Sequence, residues 1–112
     1  MNKQYRLKKS FDIEKLVKRK QSVGNIYYAI YYNFSSEDIS KVAISVSKKL
    51  GNAVERNKEK RIIREIVRKN MDTINNFELL IVEKKKALDL TYIQKESELI
   101  NLFNKIIKKR SK

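Results

Sequence analysis

The stretch Lys48–Lys69, KKLGNAVERNKEKRIIREIVRK, constrains the fold more than any other part of this chain. Its spacing predicts one long helix with two unlike sides. Val54, Ile62, Ile63, Ile66 and Val67 recur at helical intervals and form an apolar stripe. Arg56, Lys60, Arg64 and Arg68 follow one another every four residues on a second, slowly drifting face, with Lys58 and Arg61 beside them. Only Glu59 and Glu65 interrupt that ridge. Gly51 turns the chain ahead of the helix. Asn52, with Glu55 three residues on, has the pattern of a capping box. A helix of this kind must lay its stripe on an apolar surface and leaves its cations in water.

The flanking sequence supplies that surface. Ile26–Phe34 (IYYAIYYNF) is β-branched and aromatic and reads as a strand, with Tyr28, Ile30 and Tyr32 on one face and Tyr27, Ala29 and Tyr31 on the other. Lys41–Ser47 alternates strictly, placing Val42, Ile44 and Val46 inward. The two runs are separated by a turn at Ser35–Asp38 and are expected to pair antiparallel. Phe77–Val82 is almost continuously apolar, as a strand buried on both faces should be. Ser10–Arg19 reads as a short first helix capped by Ser10, and Gln21–Asn25 as a connector. Thr91 with Gln94 makes a second capping box. It opens a last helix whose apolar face is Leu99, Leu102, Phe103, Ile106 and Ile107. Residues 1–9 read as a basic arm and 108–112 as a fraying tail. With no Pro, two Gly and no internal repeat, the 112 residues form one domain, an α+β fold with helices packed on a small mixed sheet.

Charge narrows the function. Lys and Arg number 27 against 13 Asp and Glu, for a net charge of +14. Such self-repulsion is relieved by a polyanion, with nucleic acid ahead of an anionic membrane surface. The ridge is built for phosphates, because each one neutralised releases counterions. The tyrosine-rich strand could stack unpaired bases, although one of its faces must be core. The chain has no Cys and no His, which excludes disulfides, thiol chemistry and the commonest general base and metal ligand. The acidic residues are scattered, so no catalytic centre of the protein's own is expected. No apolar run approaches a membrane span and no secretory signal pattern opens the chain, so a cytoplasmic location is expected. A membrane-surface role is disfavoured, since the helix stripe is matched to a sheet and no aromatic belt is evident.

The run from Ser45 to Arg64, SVSKKLGNAVERNKEKRIIR, resembles the signature of the bacterial ribonuclease P protein family, S-x-S-K-K-x-G-x-A-V-x-R-N-R-x-K-R-x-x-R. The likeness extends to Arg6–Lys9, to Ser22, Val23 and Asn25, and through the Phe77 strand and last helix. Lys58 stands where the pattern has its second Arg, Ile13 and Val17 where aromatics are common, and Ala43 where Gly is common. The resemblance implies a fold like ribosomal protein S5 domain 2, of order α-β-β-(β)-α-β-α, with a left-handed crossover through the central helix. It also implies a subunit of a ribonucleoprotein endonuclease whose catalyst is RNA. Magnesium (Mg2+) on that RNA would activate water to remove the 5′ leader of precursor tRNA. Contacts to the catalytic RNA would fall on Lys48, Lys49, Asn52, Arg56, Asn57, Lys58, Lys60, Arg61, Arg64 and Arg68. The leader would lie against Ile13, Val17, Ser22, Asn25 and Tyr31. The protein would be monomeric before assembly with ribonuclease P RNA and precursor tRNA. Composition alone would equally support a ribosomal or other structural RNA-binding protein. The long motif, with Asn57 held between two cations, favours ribonuclease P.

Overall fold

The computed structural model describes residues 17–18, 21–34, 41–74 and 77–110. Among these, four strands form one sheet: β1 (Ser22–Gly24), β2 (Tyr28–Phe34), β3 (Lys41–Val46) and β4 (Phe77–Glu83). Two long helices, α1 (Ala53–Lys69) and α2 (Tyr92–Arg110), complete the fold. The spatial order is β1-β2-β4-β3. Residues 17–18 are helical, while most of the expected first helix and the Ser35–Asp38 turn lie outside the described residues.

β2 and β3 do not pair, contrary to the expectation from their closeness in sequence. β4 lies between them, antiparallel to β2 and parallel to β3. Burial explains the choice. β4 (FELLIVE) is the most buried of the strands, and the central place pairs the backbone of both its edges while Phe77, Leu79 and Ile81 lie under the helices. β3, α1 and β4 therefore make a crossover between neighbouring parallel strands, with α1 as the connection. A second correction concerns Gln21–Asn25. Ser22–Gly24 is a strand, not a connector, and pairs with Ala29–Tyr31. The reversal is closed by Asn25, whose side-chain oxygen accepts from the Tyr27 and Tyr28 amides at 2.8 and 2.9 Å.

Among the described residues the sheet has one face under the two long helices and an opposite face that both leave open, although Leu80 on it is only 6% exposed. Val23, Ile30, Ile81 and Ile44 form one row on the helix side, with Tyr32, Leu79 and Val42 in the next. α1 packs mainly against β3, and α2 against β1 and β2. Ile63, Ile66 and Val67 of α1 and Leu99, Leu102, Phe103 and Ile106 of α2 are buried between the layers. Each such side chain contributes about 1.5–3 kcal/mol relative to exposure. The opposite face carries Ser22, Tyr31, Leu80 and Ala43 in one cross-sheet row.

Candidate nucleic-acid interface

The start of α1 is built by its sequence. Lys48–Leu50 form a single 3-10 turn, with the Ser47 hydroxyl accepting from the Lys49 amide at 3.2 Å. Gly51 follows at φ 151°, a conformation that side chains rarely adopt, and a Cβ there would press on Glu55 at 3.2 Å. Asn52 and Glu55 then complete the capping box: the Asn52 side chain accepts from the Glu55 amide at 2.9 Å and the Glu55 carboxylate from the Asn52 amide at 3.4 Å. A cap of this kind is worth about 1 kcal/mol. It also sets where the helix begins, and so the direction in which every later cation points.

At about 100° per residue, Asn57, Lys60, Arg61, Arg64 and Arg68 fall within an arc of about 100° on α1. Arg61, Arg64 and Arg68, with Glu65 at the border, line an open cleft of about 200 Å3. Lys48, Lys49, Asn52, Asn57, Lys58, Arg61 and Arg68 are exposed, while Arg56, Lys60 and Arg64 are half-buried.

The geometry revises the ridge at both ends. A four-residue step drifts by about 40° on a helix. Counted back from Arg64, that drift carries Arg56 onto the side of Ile63 and Val67. Its Nε is buried there with no hydrogen-bond partner among the described residues. Lys58 lies beyond the arc on the opposite side. Val54 is not in the buried stripe, as its spacing suggested. It is 77% exposed. Nine residues before Ile63, it lies about 180° around the helix from that buried side chain and on the same side as Arg61. The 3.6-residue period already places it there, so the expectation misjudged the spacing and no tertiary effect is involved. Glu59 does not interrupt the ridge. It is buried on the underside and accepts a hydrogen bond from Lys95 Nζ of α2 at 2.7 Å.

That underside holds a buried polar cluster which the sequence reading missed. Beside the Glu59–Lys95 pair, Tyr28 of β2 stands opposite Glu83 of β4. Glu83 is 3% exposed. Neither its carboxylate oxygens nor the Tyr28 hydroxyl makes a hydrogen bond of good geometry among the described residues. Burial, then the nearby Glu59 carboxylate, pushes the Glu83 carboxyl up to about 8. Burial, and next the Glu83 charge, raises the Tyr28 hydroxyl well above its ordinary range. The only prior signal was Glu83 ending an apolar strand, which is also how a strand meets solvent.

The expected leader residues are brought together only in part. Ser22 and Tyr31 are register partners on the open face. Val17 is exposed in its helical segment. Asn25 has its side chain fully engaged: besides the two turn amides, its Nδ2 donates to Glu98 Oε1 at 3.1 Å. It shapes the β1–β2 hairpin from within. Ile13 lies outside the described residues.

A cationic arc above a packed underside, entered through a Gly-Asn capped turn, has the charge and exposure that phosphates require. Comparison with known proteins places it. The sequence model of the family described as Ribonuclease P matches residues 1–107. The chain belongs to the ribonuclease P protein family. It is 38% identical to the ribonuclease P protein component of Staphylococcus haemolyticus, over 96% of this chain and all of that one. It is 37% identical to the protein component of Bacillus velezensis, over 94% of this chain and 91% of that one. The solved ribonuclease P protein of Staphylococcus aureus superposes with a TM-score of 0.82 at 36% identity, covering 89% of this chain and 93% of that one. That of Thermotoga maritima gives 0.83 at 30% identity, covering 89% and 96%. Both solved proteins thus share the fold of this chain, whose described residues form a mixed four-stranded sheet with two long helices. No helix among the described residues is long and apolar enough to cross a membrane.

Proposed function

We propose that this chain is the protein subunit of a cytoplasmic ribonuclease P. In that role it binds the catalytic RNA through α1 and the turn before it, and steadies the single-stranded 5′ leader of precursor tRNA on the open sheet face. The observation that carries the reading is the separation of sides on α1: one arc is committed to the core, and the other offers Asn57, Lys60, Arg61, Arg64 and Arg68 to a polyanion. Lys48, Lys49 and Asn52 extend that offer toward the N-terminus, and Lys58 along its flank. Arg56 reaches RNA from the helix edge. Val54 adds an apolar contact for a ribose or base beside the cations. On the open face, the row of Ser22, Tyr31, Leu80 and Ala43 suits an extended strand of nucleotides, with Val17 near the first helix.

Hydrolysis is assigned to the RNA partner, where bound magnesium would activate the attacking water. The protein's share is positional: its cations lower the repulsion between two RNAs brought together, and the sheet face holds the leader in one direction. The subunit enters the complex as a monomer.

Reconstitution tests this. Mixed with a bacterial ribonuclease P RNA and a precursor tRNA at low magnesium, the protein should raise the rate of 5′ cleavage. No increase would overturn the assignment. If the leader lies on the sheet, the complex should prefer leader-bearing over leaderless tRNA. Equal affinity would remove the sheet from the interface.

A further inference from the structure

A second basic groove lies at the far edge of the sheet from the β3 strand on which α1 rests. Its volume is about 410 Å3, and it is lined by Ser22, Val23 and Gly24 of β1 and by Lys105, Lys108 and Lys109 of α2. β1 is an edge strand, with three strands' width of sheet, about 14 Å, between it and β3. The lysines are at i, i+3 and i+4, so they share one side of α2.

The strand contributes donors. The Gln21 carbonyl accepts from the Tyr32 amide at 3.1 Å, and the Asn25 amide donates to the Tyr28 carbonyl at 2.9 Å. Hydrogen-bonded pairs alternate along an antiparallel ladder. Gln21, Val23 and Asn25 therefore face β2, and the N–H groups of Ser22 and Gly24 turn outward, about 7 Å apart. Small residues at both positions leave those amides uncovered.

We propose that this groove is a separate binding site for the phosphodiester backbone of single-stranded RNA, in which the Ser22 and Gly24 amides and the Lys105 and Lys108 ammonium groups take successive phosphates. Lys109 borders the site. Its ammonium is 5.8 Å from the centre of the Tyr32 ring, which fixes the third cation against the core. Cations at a helix C-terminus also complement the helix dipole. That effect accounts for lysines near the end of α2, but not for their facing a pair of outward amides. An acidic peptide added as a strand is the weaker fit, because strand addition needs a longer run of free edge than two residues. No exposed aromatic ring lines the groove, so binding there should be indifferent to base identity.

The test uses the full chain, a fluorescent ten-nucleotide oligouridylate and a range of salt. Each phosphate contact on a single strand contributes about 0.7 to the log–log salt slope. A Lys105→Gln/Lys108→Gln variant should lower that slope by about 1.4. In amide spectra of the unmodified protein, Ser22 and Gly24 should shift on titration, and should still shift in an Arg61→Ala/Arg64→Ala variant. That last result separates this groove from α1, and loss of the Gly24 shift in the Lys105→Gln/Lys108→Gln variant separates it from the open face, where neither lysine lies. An unchanged slope in the lysine variant overturns the proposal. So do silent Ser22 and Gly24 amides, or amides that respond to oligoglutamate and not to oligouridylate.

Discussion

The two sides of α1 use charge in opposite ways. On the outer side, Lys60, Arg61, Arg64 and Arg68 repeat one sign in water, where each charge is screened and none has a fixed role in the fold. On the underside, Glu59 and Lys95 form one pair at 2.7 Å within a few ångströms of apolar core, beside a second carboxyl, Glu83, that burial holds toward its neutral form. The outer charges act together and only against a partner. Each inner charge matters on its own, because its alternative is an unpaired ion in low dielectric. The same helix thus carries both the proposed binding surface and a share of the stability, on residues that barely overlap.

Substitutions can break that division. The largest effect should come from Lys95→Met, which leaves Glu59 buried without its cation next to Glu83. Urea unfolding should show a loss of about 3–5 kcal/mol, and a Glu59→Met/Lys95→Met pair should recover most of it. A small loss from the single change would mean that water reaches the cluster.

A second effect concerns pH. The Glu83 carboxyl sits at about 8 in the fold against an ordinary 4.5, so the fold retains a proton that the unfolded chain releases. Its contribution is fully present below about 4.5 and is lost as pH rises through 8. The urea midpoint should therefore decline across that window, and Glu83→Gln should flatten the decline. An identical pH profile in the variant would place the titrating group elsewhere.

The smallest change in stability should come from Arg64→Ala, within about 0.5 kcal/mol for a surface position. The same change should lower the salt slope for ribonuclease P RNA by about one. A large stability loss with an unchanged slope would reverse the roles assigned to the two sides.

The legibility of these features differs for physical reasons. The capping box at Asn52 and Glu55, the alternation of Lys41–Val46 and the apolar face of α2 are local, and the structure has them where their spacing places them. The order of the strands is not local. β2 and β3 both expose apolar faces, and nothing within either says that β4 will come between them. Val54 was misassigned although its place was legible: at about 100° per residue it lies about 180° from Ile63, on the cationic side. Glu59 and Glu83 look like ordinary surface acids in sequence. Their burial follows from the packing of α2 across the underside of α1. Ser22–Gly24 was read as a connector because three residues are too few to show an alternation.

By itself the sequence determined the two long helices, the three longer strands, the net charge of +14 and the motif that marks the ribonuclease P protein family, since each is carried by residue types at short spacings or by their totals. Tertiary structure alone decided the β1-β2-β4-β3 order, the buried Glu59–Lys95 pair and the meeting of β1 with the lysines of α2. Those depend on which surfaces exclude water from one another across the whole chain. For Lys48–Lys69 the outcome is a helix whose cationic arc is narrower than its spacing suggests. It leaves out Arg56, which lies over the core, and its exposed members are Asn57, Arg61 and Arg68.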